Sequence, residues 1–254
     1  MTSMALCSSE PAQKALKVLR SVHKKHERAA DQSVRAAFRR LQYHPRGHVL
    51  TPLAKAIDDA VIVRNLADHG WVVVSGFLQE PARRGLQREL TEQWEQGDFR
   101  RAGVGRGASW QLQPQLRGDR VRWIDGERCG PYLTGYLARM EQLRLSINRE
   151  LLLGLFDFEA HLTVYPPGAH YVSHVDQFAE APGRTVSVVG YLNAAWEPGD
   201  GGELRLYPPA PSPPVDVAPV GGTLVAFLSA ELLHEVLPTH RERLSITGWF
   251  SRRG

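Results

Sequence analysis

Only two of the 254 residues are cysteine, Cys7 and Cys129, which excludes a disulfide framework and any zinc site built from cysteine alone. Long apolar runs are also missing. Nothing approaches the roughly 20 residues needed to span a bilayer, so no membrane partner is expected. Lys14 and Lys17 interrupt any apolar stretch a signal peptide would need in the first 22 residues, and the expected location is the cytoplasm. No internal repeat is present. What remains is ordinary for a globular protein: 43% hydrophobic and 23% charged residues, on a chain long enough to bury a substantial core.

The net charge of +4 and a pI of about 9.2 hint at an acidic partner. That charge is not evenly spread. Residues 1–50 carry ten Lys or Arg against three acids, a balance of +7, which leaves −3 for the rest. The basicity belongs to an N-terminal arm over residues 1–48. There Leu16, Leu19, Val22, His26, Ala29, Ala30, Ala37, Phe38 and Leu41 recur at helical steps, up to a break at His44-Pro45-Arg46-Gly47. One reading is a helix that contacts nucleic acid or the ribosome. The plainer one is a solvated amphipathic helix packed on the body, or an extension, since no base-reading motif accompanies the charge.

Beyond the arm, Pro52–Asp68 predicts a helix closed by His69-Gly70, Trp71–Val74 a strand, and Pro81–Trp94 a second helix. Residues 97–118, rich in glycine and arginine, read as a long irregular segment. Its Gly103-Val-Gly-Arg-Gly107 lacks the Lys-Ser/Thr of a phosphate loop, and a mobile lid is the better reading. A helix over Pro131–Leu153 precedes seven short strand patterns: Ala160–Tyr165, Tyr171–Val175, Thr185–Leu192, Glu203–Tyr207, Thr223–Leu228, His234–Leu237 and Leu244–Phe250. Glycine turns separate them, and the pattern predicts a sandwich or barrel of the jelly-roll kind. Pro208–Pro219, with six prolines, reads as a stiff connection or a ligand for a proline-binding module.

Within this half lies His174-Val-Asp176. Residues two apart on a strand point to one face, so both can reach one ion. A lone His-x-Asp is more often a hydrogen-bonded surface pair. A second imidazole, His234 in Leu233-His234-Glu-Val-Leu-Pro238, would complete a set of two histidines and one carboxylate that suits non-haem Fe(II) with open positions. Nine residues on, Arg243 shares a strand face with Ser245 and Thr247. A buried guanidinium there needs an anion, and a carboxylate held bidentately is the best match. Taken singly, His234 reads as a core histidine and Arg243 as a salt-bridge partner; together they point to a metal site.

In this order and spacing, His174-x-Asp176, His234 and Arg243 resemble the Fe(II)/2-oxoglutarate dioxygenases. More narrowly, the chain is similar to the prolyl hydroxylases that include the oxygen-sensing animal enzymes and their bacterial relatives. The tracts that carry this include Gln115–Ile124, Asn148–His161, Val164–Gly168, Arg184, Val189–Asn193 and Gly201–Arg205. The resemblance runs from about Asp68 to Phe250 and leaves the first fifty residues out. It implies an α+β fold, a double-stranded β-helix (jelly-roll or cupin-like) with supporting helices, in a domain over 49–254 whose core covers about 158–252. It implies Fe(II) held by His174, Asp176 and His234. The cosubstrate 2-oxoglutarate would meet Arg243, Tyr165 and Tyr191, with Thr247 a further candidate. O₂ is the second cosubstrate and ascorbate a candidate reductant. The implied reaction couples decarboxylation of 2-oxoglutarate to hydroxylation of a substrate C–H, foremost a prolyl residue of a protein.

Tyr171 would line the substrate side, Arg184 falls in a matching tract, and Arg117 with Asp119 corresponds to the family's mobile strand-connecting loop. Trp123 and Trp249 match aromatic positions near the family's cavity, although core packing alone would also account for them. His161 reads as structural and His170 as a turn residue. The same chemistry on a free amino acid, another small molecule or an alkylated base is one alternative. A binding module without turnover is another, opposed by the intact motif. The segment 98–116 departs from the animal enzymes, so substrate choice does not transfer.

Overall fold

The computed structural model describes residues 58–105, 111–125, 129–177 and 183–253. The expected arm over 1–48 lies outside them, as does the expected domain boundary. Helix α1 runs Asp59–His69. Asp58 caps it, accepting a hydrogen bond from the Ala60 N–H at 3.0 Å, and the part of the expected helix from Pro52 to residue 57 lies outside the described residues. Gly70, at φ +78°, ends it as the histidine-glycine signal predicted. Helices α2 (Glu80–Glu95) and α3 (Pro131–Leu151) each begin with a proline in the first turn.

Strands β1 (Trp71–Val74), β2 (Arg100–Arg101), β3 (Arg120–Trp123), β4 (Leu155–Tyr165), β6 (Arg184–Tyr191), β9 (Leu224–Leu228) and β11 (Arg243–Arg252) form one sheet, in the order β1-β9-β6-β11-β4-β3-β2. Strands β5 (Tyr171–His174), β10 (Leu233–Val236), β7 (Leu204–Tyr207) and β8 (Val215–Val217) form a second sheet in that order. All pairings are antiparallel. This is the double-stranded β-helix.

Parity along the strands divides the larger sheet. Leu162, Val164, Val186, Val188, Leu244, Ile246 and Phe250 pack against Ile62, Leu66, Leu86, Leu133, Tyr136 and Met140 of the helices. The alternate residues Tyr165, Val189, Tyr191, Val225 and Phe227 face the second sheet and pack with Leu204, Leu206 and Val236. One face of the sheet holds the helices and the other holds the site.

All seven predicted strands of the C-terminal half are present, with shifted ends. The one expected to start at Ala160 begins at Leu155, and the last continues to Arg252. Three further strands were not expected. Segment 97–118 contains β2, which pairs with β3, and a bridge between Val104 and Gln111. The proline-rich stretch holds β8, whose Asp216 pairs with Arg205 of β7 at 2.7 Å. The larger sheet therefore draws β1, β2 and β3 from before the expected core of 158–252. No described helix is long and apolar enough to cross a membrane.

Candidate metal and cosubstrate site

His174 and His234 face one another across the β5–β10 pair, in register. Asp176 lies just past the end of β5. Its Oδ1 is 3.5 Å from His174 Nε2 and 3.7 Å from His234 Nε2. Candidate ligand atoms of all three lie within 4.8 Å of one another, the one such group among the described residues. The Nδ1 atoms of His174 and His234 meet the carbonyls of Val172 at 2.8 Å and Leu232 at 2.9 Å. An Nδ1–H that donates to a carbonyl fixes the ring and leaves the Nε2 lone pair for a metal. Asp176 Oδ2 accepts from the Ser187 hydroxyl at 2.7 Å, which leaves Oδ1 for an ion.

The electrostatics agree with that arrangement. Burial opposes ionisation of Asp176, yet His234, His174 and the Ser187 hydroxyl together hold its carboxyl well below the usual range. Burial pulls the His234 imidazole down to about 4 despite the attraction of Asp176. The site is thus a carboxylate with a neutral imidazole, the protonation state a divalent cation requires. Two imidazoles and one carboxylate, all offered from one side, fit Fe(II) and leave room for an anionic ligand.

That anion has a receptor. Arg243 is 1% exposed, and Tyr165 and Tyr191 flank it with ring centroids 5.0 Å from its guanidinium. Its Nε donates to the Gly202 carbonyl at 2.8 Å and Nη1 reaches the Ser245 hydroxyl at 3.5 Å, but among the described residues no carboxylate pairs with it. A buried cation without an anion is costly unless a ligand supplies one. The Tyr191 hydroxyl is likewise buried without a hydrogen-bond partner. Burial raises the pKa of both tyrosines, so both remain hydrogen-bond donors. Gly202 explains part of the Gly-Asp-Gly-Gly turn. At φ +69° a Cβ there would lie 3.1 Å from the Arg243 side chain.

Metal triad and arginine line a single cavity of about 1010 Å³. Of the other residues singled out from the sequence, Tyr165, Thr247, Tyr171, Arg184, Trp123, Arg117, Asp119 and Trp249 line its wall, while Tyr191 is not part of the wall and packs beside the Arg243 guanidinium. Tyr171 stacks on His174, centroids 3.7 Å apart, and Arg117 lies over the Tyr171 ring at 4.6 Å. Arg117 is paired at 2.7 Å with buried Asp119. Its neighbour Leu116 joins β5, the Val172 N–H donating to the Leu116 carbonyl. Arg184 bonds Glu159 at 2.7 Å and covers the Trp249 ring at 3.6 Å. Trp123 is 47% exposed at the mouth.

His161, read as structural, is buried and lies in the cavity wall, where its ring forms a cluster with those of Trp123 and Trp249 and its Nδ1 is 2.8 Å from the Thr163 hydroxyl. Its offset of four from Tyr165 on this strand places both on the inward face. Ser187 was missed because a serine in a strand carries no distinctive pattern. His170 does lie in the turn between β4 and β5, where its Nε2 is 3.2 Å from the Gln115 carbonyl.

Residues 160–251 match the profile of the 2OG-Fe(II) oxygenase superfamily. The chain is 30% identical over 218 residues to human Prolyl hydroxylase EGLN3, covering 81% of this chain and 88% of that protein. It is 29% identical over 212 residues to the Hypoxia-inducible factor prolyl hydroxylase of Caenorhabditis elegans, spanning 74% of this chain but only 27% of that one. Human Egl nine homolog 1, at 30% identity, is matched over 45% of its length. Among solved structures, a Pseudomonas putida prolyl-4-hydroxylase superposes with a TM-score of 0.70 at 46% identity, covering 77% of this chain and all of that one. A Trichoplax adhaerens prolyl hydroxylase, solved with a hypoxia inducible factor peptide, gives 0.67 at 28% identity over 76% and 88% of the two chains.

Proposed function

The chain belongs to the prolyl hydroxylases of the 2OG-Fe(II) oxygenase superfamily, and we propose from this premise that it hydroxylates a prolyl residue of a protein substrate. The observation that carries the reading is the buried, anion-free Arg243 facing the same cavity as the His174, Asp176 and His234 donors. A cation at one place and a three-ligand metal site at another call for one molecule with a carboxylate at each end.

When bound, Fe(II) and 2-oxoglutarate supply the oxidising chemistry, in which decarboxylation to succinate and CO₂ delivers one oxygen atom of O₂ to the substrate C–H. The protein's own part is placement. His174 Nε2, Asp176 Oδ1 and His234 Nε2 hold the metal, with the Val172 and Leu232 carbonyls and Ser187 fixing their aim. Arg243 grips the distal carboxylate of 2-oxoglutarate, and the Tyr165 and Tyr191 hydroxyls donate to the same ligand. Thr247, between His161 and Val189 in register, lines the cosubstrate side. Tyr171, Arg184, Trp123 and Trp249, with Arg117 and Asp119, form the substrate side and exclude water around the prolyl ring.

The test is peptide-dependent turnover. Purified protein with Fe(II) and O₂ converts 2-oxoglutarate to succinate slowly alone, and faster in a cell lysate in which one protein gains one oxygen on proline. Oxygen gained by a metabolite or a nucleobase instead overturns the prolyl assignment. Contact of the basic arm with nucleic acid draws no support from the site.

A further inference from the structure

The mouth of the cavity is rich in arginine, and most of that charge is already neutralised. Arg117 pairs with Asp119 at 2.7 Å, Arg122 with Asp98 at 3.6 Å and Arg184 with Glu159 at 2.7 Å. Arg100 and Arg101 differ. Both line the same cavity, both are exposed, and among the described residues neither has an ion-pair partner. Among the described residues, the unpaired positive charge at the mouth therefore lies on this two-residue strand.

The topology aims part of that charge inward. Strand β2 is the edge of the larger sheet, and Arg100 stands opposite Val121, which stands opposite Thr163. Cross-strand neighbours share a face, so Arg100 lies on the face of Trp123 and His161, which turns to the metal site. Neighbouring strands are about 4.8 Å apart and facing sheets about 10 Å. Arg100 is then about 10 Å from Thr163 on β4 and about 14 Å from the opposite sheet that carries the histidines. An extended peptide advances about 3.3 Å per residue. A side chain about two to four residues from a prolyl ring at the metal would thus reach β2. Chemistry that complements an exposed guanidinium group is a carboxylate.

We propose that Arg100 is a specificity residue that selects substrates with Asp or Glu about two to four residues from the target proline, while Arg101, opposite Arg120, lies on the other face of the strand. This rests on the prolyl hydroxylase reading above. Acidic flanks are drawn to the mouth and fixed in register, while Lys and Arg flanks are repelled.

The experiment uses the full chain with Fe(II), 2-oxoglutarate and a pool of synthetic peptides. Each peptide has one central proline, and each flanking position up to about four residues away is drawn from Asp, Lys and Ala. Oxidised peptides are sequenced by mass spectrometry, and succinate is measured in the same tubes. The wild type is expected to enrich Asp over Lys by about three- to tenfold at low salt, less at high salt, in keeping with exposed ion pairs. The Arg100→Glu variant reverses the preference towards Lys, and the Arg100→Gln variant abolishes it. Because each preference is a ratio within one enzyme, partial loss of folded protein does not imitate it. Oxidised prolines without acid enrichment, or enrichment unchanged in both variants, overturn the proposal and leave the hydroxylase reading standing. Succinate formation raised by the peptides above the peptide-free rate, with no proline oxidised, overturns both.

Discussion

His234 lies directly across from His174 in the β10–β5 pair, with ring centroids 4.3 Å apart. Two adjacent strands thus hold both imidazoles, while Asp176, beyond the end of β5, comes from the same chain direction as His174. The metal site is consequently as rigid as one strand pair, and its perturbations should be local.

Removing a ligand should remove the metal. In Asp176→Ala, bound Fe(II) and succinate formation are both expected to fall by about two orders of magnitude, with the far-UV circular dichroism spectrum unchanged. Ser187 is the subtler probe. Ser187→Ala frees Asp176 Oδ2 and is expected to weaken metal binding by about tenfold, measured by titration of the apo protein.

Arg243→Ala separates cosubstrate from metal. Loss of a buried, charge-assisted contact costs about 2–5 kcal/mol, so the KM for 2-oxoglutarate should rise by about 30-fold or more while Fe(II) affinity stays within a few-fold. A thermal-shift comparison gives the complementary result: 2-oxoglutarate stabilises the wild type and not the variant. Equal loss of both affinities would mean that the site has collapsed.

His161 provides a pH signature. Burial, aided by Arg117 and Arg184 and opposed by Asp119 and Asp176, lowers its pKa to about 3, below the ordinary 6.5. The unfolded chain therefore binds the extra proton first as pH falls. The stability His161 contributes is fully present above about pH 6.5 and is lost progressively towards pH 3, at up to about 1.4 kcal/mol per pH unit. Denaturant unfolding at pH 7 and pH 5 should show a smaller drop for His161→Gln than for the wild type.

Arg117→Ala leaves Asp119 buried without its cation and should destabilise the fold by about 3 kcal/mol, read from denaturant unfolding. It also removes the guanidinium that lies over the Tyr171 ring, which stacks on His174. Arg117→Lys should recover only part of the loss, because an ammonium cannot reproduce the bidentate contact to Asp119.

How much of this was legible in the sequence depended on the kind of signal. His174-x-Asp176, His234 and Arg243 could be read because metal and anion chemistry demand rare residue types at fixed parity. The long strands could be read because alternation between a helix-covered face and a cavity face is strict. Strand β2 could not, since two arginines carry no hydrophobic period and pair only because β3 offers an edge. Strand β8 was masked by its prolines, which flank the strand and do not interrupt it. The aromatic cluster around His161 was not legible, because Trp123 and Trp249 come from distant positions in the chain.

The most direct measurement locates the transferred oxygen. Wild type and Asp176→Ala are incubated with Fe(II), 2-oxoglutarate, O₂ and a proline-containing protein substrate recovered from lysate, and every peptide is mapped by mass spectrometry. The account requires one added oxygen on a prolyl residue, formed in step with succinate and absent in Asp176→Ala. Oxidation that persists in that variant, or succinate production coupled to oxygen on anything other than proline, would contradict it.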